Sequence, residues 1–415
     1  MNILNYIVLG MFGLGLILIF ISEIATLMNQ NRPTKKGKKN PSICILIPAR
    51  DESKVISNIL TSIKEQTYKI NMKDVYVIVE KKEDKTVGIC KKYGCSTVIR
   101  EKLENRRRKG YALDDAVKHI LKEKKYYDLY FVFDADNILD KDYIKEMLKT
   151  YQEGYDIGIG YRNCKNGNAS LVAAASALVF SLINTFSNTL RQKQEKSLTI
   201  TGTGFYIRGE YIKEWGEYPF HALTEDYELT LYSTLNNLTS YYNANAIYYD
   251  EQPIRYKDTI PQRTRWLKGY FESRRNYIPK IRKALTKKDP NYGSKLSACI
   301  GYIPYLFIVA SFFCYLILQL FIIGTAIASN NDELFIKTSL SLLFILTFIY
   351  VATILLTISL LYREKETLNM KTSTKIKVCL YLPIFLTSYI QIAFRALFTK
   401  DVTWKKIEHT ENNIT

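Results

Sequence analysis

Residues 129–137 read LYFVFDADN, an apolar run that ends abruptly in two carboxylates, Asp134 and Asp136. An apolar run without polar alternation is what a strand buried on both faces of a parallel sheet requires. Working outward, SICILIP (42–48), DVYVIVE (74–80) and STVIR (96–100) repeat the pattern. Between them, 53–66 reads as a helix, and 110–122 places Ala112, Leu113, Ala116, Val117, Ile120 and Leu121 on one helical face. Short strands alternating with helices predict an α/β domain with a mostly parallel, Rossmann-like sheet over residues 41–280. In such sheets ligands bind beyond the carboxyl ends of the strands. Alternation along an extended chain puts Asp134 and Asp136 on one side, two hard oxygen ligands suited to Mg²⁺ or Mn²⁺. Two acids one residue apart are also the composition of a solvated turn, so their meaning depends on the rest of the chain.

The chain has 415 residues, more than one such domain needs, and hydropathy accounts for much of the remainder. Stretches 6–28, 306–328, 338–361 and 378–398 are nearly uncharged and long enough to cross a ~30 Å hydrocarbon layer. The organisation expected is an anchor at 1–30, the α/β domain, a linker at 281–305, membrane and interfacial helices at 306–398, and a polar tail at 399–415. MNILNY lacks the basic residue of a signal peptide, so the first span reads as a retained anchor. Arg32, Lys35, Lys36, Lys38 and Lys39 follow it directly, and Arg363 to Lys377 holds five basic residues; both segments belong on the cytoplasmic side, with the α/β domain between them. Two features stay open. Segment 378–398, with Pro383, Gln391 and Arg395 inside it and a basic tail after it, reads either as a span or as an interfacial helix. Segment 171–187 is apolar enough to imitate a span, yet a crossing there would divide the domain, so it reads as a helix on the membrane surface or in a core.

The net charge of +18 suits attraction to an anionic cytoplasmic leaflet. Seven cysteines, odd in number and without a CxxC pair, read as reduced thiols, and His119, His221 and His409 have no metal-ligand spacing. No internal repeat points to a solenoid. Further along, Thr224 is an N-cap candidate for a helix carrying Glu225 and Asp226 in its first turn. Thirty-six residues after Asp226, QRTRW offers Gln262, Arg263, Arg265 and Trp266 within about a turn and a half: guanidinium forks for pyrophosphate and an indole face for a sugar ring.

Taken in order, IPARDES (47–53), RRRKGYAL (106–113), DAD (134–136), TGTGF (201–205), TED (224–226) and QRTRW (262–266), set between apolar spans, resemble the family 2 membrane glycosyltransferases that include cellulose, chitin, hyaluronan and poly-N-acetylglucosamine synthases. The resemblance covers roughly 41–280. It implies a GT-A fold, a UDP-sugar donor, inversion at the anomeric carbon, and processive extension of a polysaccharide at the cytoplasmic membrane face with export. Asp51 and Glu52 would hold the nucleobase end, and Lys109 would approach the diphosphate. Asp134 and Asp136 would fix the metal and ribose-phosphate portion, and Asp226 would be the general base. Gln262, Arg263 and Arg265 would meet the donor, Trp266 would stack on the terminal sugar, and Gly202, Thr203 and Gly204 would pass beside the acceptor. The second strand departs from the family by ending in Glu80 and KKEDKT, where Glu80 or Asp84 would replace an Asp-rich turn; Trp404, followed by KKIEH, departs from the usual terminal motif of a site lid.

The partners expected are a UDP-sugar, a polysaccharide or lipid-linked acceptor and membrane lipids, without nucleic acid. Four spans are few for a closed conduit, so a homo-oligomer or an accessory subunit would complete it. Three other readings compete. One is transfer of a single sugar to polyprenyl phosphate or diacylglycerol. Another is a membrane-tethered polyanion binder built on Arg106, Arg107, Arg108 and Lys109, whose affinity would fall steeply with salt. The last is a catalytically silent scaffold.

Overall fold

The computed structural model describes residues 2–25, 35–101, 103–286, 291–301, 303–368 and 370–399. Helix α1 (Asn2–Ala25) precedes the α/β part. That part runs β1 (Ile43–Pro48), α2 (Ile56–Lys64), β2 (Val75–Val79), α3 (Lys85–Tyr93), β3 (Ser96–Ile99), α4 (Lys109–Lys122), β4 (Leu129–Val132), β5 (Ile138–Leu139), α5 (Tyr143–Glu153) and β6 (Ile157–Cys164). It continues with α6 (Leu171–Leu182), a π-helical stretch (Ile183–Thr189), α7 (Leu190–Lys193), β7 (Phe205–Arg208), α8 (Gly209–Trp215), α9 (Glu225–Leu235), β8 (Ser240–Asp250) and α10 (Tyr256–Ala284). Helices α11 (Tyr292–Ile300), α12 (Ile303–Ala328), α13 (Asp332–Arg363) and α14 (Thr372–Phe398) follow.

One eight-stranded sheet has the order β3-β2-β1-β4-β7-β6-β8-β5. Strands β1 to β4 are mutually parallel, as the uninterrupted apolar runs predict. Strand β7 is antiparallel to both β4 and β6, and β6 pairs with β8 in parallel. This is the mixed, mostly parallel GT-A arrangement. Alternation along each strand supplies both faces. Ile43, Ile45, Ile47, Leu129 and Phe131 join one core with α2 and α5, whereas Cys44, Leu46, Tyr130 and Val132 join the other with α4.

Among the described residues five helices are long and apolar enough to cross a membrane, by length and composition: Leu4–Ala25, Leu171–Lys193, Tyr292–Ala328, Asp332–Arg363 and Thr372–Phe398. Burial separates them. The apolar window is 61 % buried for Leu171–Lys193 but 6 % for Asp332–Arg363, so α6 is an interior helix and α13 turns its side chains outward. Helix α6 packs Ala174 and Leu178 against Val378, Leu382 and Phe385 of α14.

Helix α14 is held by the α/β part along its whole length. At its start the Lys371 N–H donates to Asn168 Oδ1 (2.8 Å). In its middle Arg263 donates to Ser388 Oγ (2.8 Å), and at its end Lys268 Nζ donates to the Thr399 carbonyl (2.7 Å). A rod of 27 residues touching one body at both ends lies along that body. The connection from α13 is also anchored: Glu364, buried, accepts from the Tyr161 hydroxyl of β6, and Asn163 Nδ2 donates to the Thr367 carbonyl (2.6 Å).

Candidate active site

The four parallel strands deliver their carboxyl ends to one cleft of about 2120 Å³, whose lining includes Glu52 after β1, Glu80 after β2, Arg100 after β3, and Asp134 and Asp136 after β4. Glu80 is engaged by two guanidiniums, Arg50 at 3.1 Å and Arg100 at 3.8 Å. Of the expected nucleobase pair, Glu52 lines the cleft; Asp51 is not part of the lining and faces Lys81 at 3.9 Å. The reason is local: Asp51 has φ +56°, and its N–H is drawn to Asp84 Oδ2 (2.9 Å). Asp84 is no substitute, because its other oxygen caps α3 by accepting from the Thr86 N–H (2.8 Å).

The DAD turn is braced from beneath. The Asp134 N–H donates to Thr203 Oγ1 (2.9 Å) and Asn137 Oδ1 (3.1 Å), and the Thr203 hydroxyl donates to the same Asn137 oxygen. Thr203 is fully buried, so its side chain supports the acidic turn instead of facing an acceptor. Gly204 is also spoken for. At φ +65°, a Cβ there would lie 2.1 Å from the Tyr248 ring, so this glycine makes room for a core tyrosine. Gly202 alone of the three lines the cleft, with Asp226 Oδ2 3.5 Å from where its Cβ would stand.

Lys109, the first residue of α4, is the hub. Its ammonium donates to Asp134 Oδ1 and to the Gly202 carbonyl (2.6 Å) and lies 3.8 Å from Glu225. Burial works against the charge, but Asp134, Glu225 and Asp226 outweigh it and raise the Lys109 pKa above the ordinary lysine value. Two more members of the basic run are paired as well, Arg106 with Asp114 and Asp115 and Arg108 with Glu272, while Arg107 lines the cleft. Internal pairing of this kind does not build the outward cationic stripe of a polyanion binder.

Helix α9 presents Glu225 and Asp226 from its first turn, close to α10. Thr224 occupies the N-cap position, but its hydroxyl makes no cap bond. Instead Glu228 accepts from the Ala222 N–H (2.8 Å) and Glu272 of α10 from the Leu223 N–H (3.0 Å), fixing the approach to the helix. Gly269 permits the contact, since a Cβ there would fall 2.7 Å from the Thr224 nitrogen. Burial pushes the Glu225 carboxyl up to about 7 against the pull of Lys109, with Asp226 adding repulsion. Burial raises Asp226 too, opposed by the Tyr227 N–H, Lys109 and Arg265. A buried carboxylate with a raised pKa beside a cleft has the character of a general base.

The QRTRW box divides. Gln262, Arg265 and Trp266 line the cleft, and Arg265 is fixed by the Leu223 carbonyl at 3.3 Å. Arg263 borders the cleft, but its guanidinium leads elsewhere. It donates to Thr259 Oγ1 (2.7 Å) and Ser388 Oγ and lies among the rings of Tyr256 (5.7 Å), Phe385 (4.6 Å) and Tyr389 (4.9 Å), so it fastens α10 to α14.

Three cleft residues escaped sequence reasoning. Arg162 of β6 is bound to Asp250 of β8 through Nε (3.0 Å) and a second nitrogen, donates to the Thr201 carbonyl (2.9 Å), and lies 3.7 Å above the Phe180 ring. Phe180 in turn meets Trp266 edge-on at 5.8 Å. The available signal was Arg162 itself, a cation inside the apolar strand IGIGYRNC that had to find a buried partner. Phe180 carried none, because 171–187 reads only as apolar. Trp404, the suggested lid, lies outside the described residues.

Asp134 and Asp136 are both half-buried on the cleft wall, and Asp134 already holds a cation in the Lys109 ammonium. This donor set fits a hard divalent ion with open positions. Among the described residues no group of three or more His, Cys, Asp or Glu side chains could hold a metal. A site here would therefore rest on these two carboxylates.

Comparison with known proteins agrees with the geometry. A solved mannosyltransferase, PcManGT from Pyrobaculum calidifontis, in complex with GDP-Man and Mn²⁺, superposes with TM-score 0.57 over 96 % of this chain and 100 % of its own at 13 % identity, which shows a shared fold. The Bacillus subtilis (strain 168) protein named "Probable glycosyltransferase YdaM" is 28 % identical over 249 residues, and this chain spans about half of it (56 % of each chain). A family model, "Glycosyltransferase like family 2", matches residues 41–269, from the strand before IPARDES to three residues beyond QRTRW. That match covers more than half of the 415 residues, and the chain belongs to the family 2-like glycosyltransferases.

Proposed function

We propose that this glycosyltransferase moves a sugar from a UDP-sugar to an acceptor hydroxyl, with inversion, at the cytoplasmic face of a membrane. The observation that carries the reading is the convergence on Lys109, whose ammonium joins Asp134 to the Gly202 carbonyl beside Glu225 and Asp226. It supports a donor with its diphosphate at the strand ends and its anomeric carbon toward Asp226. Glu52 and Glu80 then border the nucleobase end, and Lys109, Arg265 and Gln262 border the diphosphate and sugar.

In a single displacement the acceptor oxygen bonds to the anomeric carbon while the bond to the diphosphate oxygen breaks, its electron pair leaving with the nucleotide. Asp226 takes the hydroxyl proton, and its raised pKa makes it a stronger base than an exposed aspartate. Lys109 and Arg265 face the negative charge that builds on the leaving group. Mg²⁺ or Mn²⁺ held by Asp134 and Asp136 would add Lewis-acid neutralisation of that diphosphate. Attack from the face opposite the leaving group inverts the anomeric carbon.

Orientation follows from charge and packing. Helices α1, α12 and α13 cross the bilayer with the basic segments inside, and α14 lies along the α/β part at the inner interface.

Full-length protein in detergent with Mn²⁺ is to be offered UDP-glucose, UDP-N-acetylglucosamine, UDP-galactose, UDP-glucuronate and GDP-mannose, the last because PcManGT was solved with GDP-Man. Nucleotide release with a UDP-sugar, lost on adding chelator and in Asp136→Asn that still unfolds like the parent, is the expected result. Folded protein that releases nucleotide from none of the five sinks the reading.

A further inference from the structure

The cleft has two kinds of wall, and the second one specifies the acceptor. Beyond the Ala174/Leu178 contact with Val378, Leu382 and Phe385, α6 with its π-helical continuation and α14 both turn apolar side chains into the cleft: Val179, Leu182 and Ile183 from one, Leu386, Ala396 and Leu397 from the other. This apolar mouth is continuous with Phe180 and Trp266, and through them with the Asp226 end of the cleft. On its outer side α14 exposes Ile376, Leu380, Ile384 and Phe394, a face that an apolar medium covers without loss. Among the described residues the lining of this cleft includes none from α1, α12 or α13.

We infer that the acceptor is lipid-linked: a bilayer lipid enters sideways between α6 and α14, its tail against the apolar mouth and its hydroxyl-bearing head over Phe180 and Trp266, facing Asp226. The inference rests on the glycosyl-transfer reading above and names its acceptor class. It replaces the polysaccharide passed through the membrane that the family resemblance implied. The step is the same displacement. The head-group oxygen bonds to the anomeric carbon, nucleoside diphosphate leaves with the electron pair, and the proton goes to Asp226; one glycolipid and one nucleotide result.

The test uses full-length protein in phosphatidylethanolamine–phosphatidylglycerol vesicles, with the donor found active in the release screen, radiolabelled in its sugar. Dioleoylglycerol or undecaprenyl phosphate is placed in the bilayer, and glycerol, glucose or inorganic phosphate is offered in solution. Label should enter the organic extract with at least one membrane acceptor, at least tenfold faster than it enters any product of the soluble acceptors. Leu386→Gln and Leu397→Gln should each lower that transfer about tenfold, with calorimetric nucleotide affinity as the folding control; Leu397, largely exposed, remains the readout if the Leu386 variant is unstable. Label accumulating as water-soluble or lipid-free polymer overturns the inference, and so does lipid labelling that both variants leave unchanged. A donor screen with no nucleotide release fails the earlier reading instead, so the two failures are distinguishable.

Discussion

The cleft wall made by the strand ends and the wall made by α6, α10 and α14 are held by different forces. On the strand side nearly every cleft residue is placed by a charged or hydrogen-bonded partner: Glu80 by Arg50 and Arg100, Asp134 by Lys109, and Arg162 by Asp250. On the helical side packing dominates, with Ala174, Leu178 and Phe385 in one apolar cluster and the Arg263 guanidinium enclosed by three aromatic rings, helped by single hydrogen bonds such as those from Arg263 to Ser388 and from Lys268 to the Thr399 carbonyl. A diphosphate needs fixed charge in a site that already exists when the nucleotide arrives. A wall of side-chain packing parts and recloses more readily than one of buried ion pairs, whose separation leaves charge uncompensated. The contrast suggests a rigid donor half and a yielding acceptor half, meeting at Asp226.

That contrast can be broken where it is strongest. Asp226→Asn removes the proposed base where the two halves meet, and kcat should fall by roughly 10²–10⁴ while nucleotide affinity by calorimetry is kept. A fall in affinity of the same size would move Asp226 into the donor wall. Next, Arg162→Ala leaves Asp250, whose side chain is only 4 % exposed, with the Asn137 and Gln252 amides but without its cation, and should cost about 3 kcal/mol, read as a lower thermal unfolding midpoint and weaker nucleotide binding. Gly204→Ala, at positive φ and against the Tyr248 ring, should cost about 1–3 kcal/mol, with weakened metal-dependent nucleotide binding because the DAD turn shifts. Unchanged unfolding in either variant would refute the rigid donor wall.

The packing side calls for smaller effects. Arg263→Lys keeps the charge but loses the planar fork among the rings, and transfer should drop on the order of tenfold with donor affinity unaltered. The pH profile is the finest test. Burial raises both carboxyls, Glu225 to about 7 and Asp226 above the ordinary aspartate range, so activity should fall on the acid side as Asp226 takes up a proton, at a pH higher than an exposed aspartate would give. Glu225→Gln removes a neighbouring negative charge, lowers the Asp226 pKa, and should move that acid limb to lower pH. A limb that stays in place would dissociate the two carboxylates.

How much of this was legible depended on range. The strands β1 to β4 and the Asp134/Asp136 turn were readable because a strand buried on both faces must be apolar throughout, and its end is marked by the first charge. Lys109, Asp226 and Arg265 came from the order of motifs, and the structure brings them to one cleft. The partners of Asp51, Thr203, Gly204 and Arg263 were not legible, for a common reason. Each lies in a motif whose neighbour faces the cleft, and which member turns inward is set by a contact distant in sequence: Asp84, Asn137, Tyr248 and Ser388 respectively. The interior position of α6 was hidden as well, since apolar surface meets lipid and protein core equally well.

By itself the sequence determined that the chain is an α/β domain joined to apolar helices and that acids end its fourth strand, because periodicity and hydropathy act locally. Only the tertiary structure decided that α14 lies along the α/β part, that α6 is enclosed, and that the cleft opens between them. Those outcomes depend on which apolar faces find each other, and hydrophobic attraction has no direction that a sequence could encode.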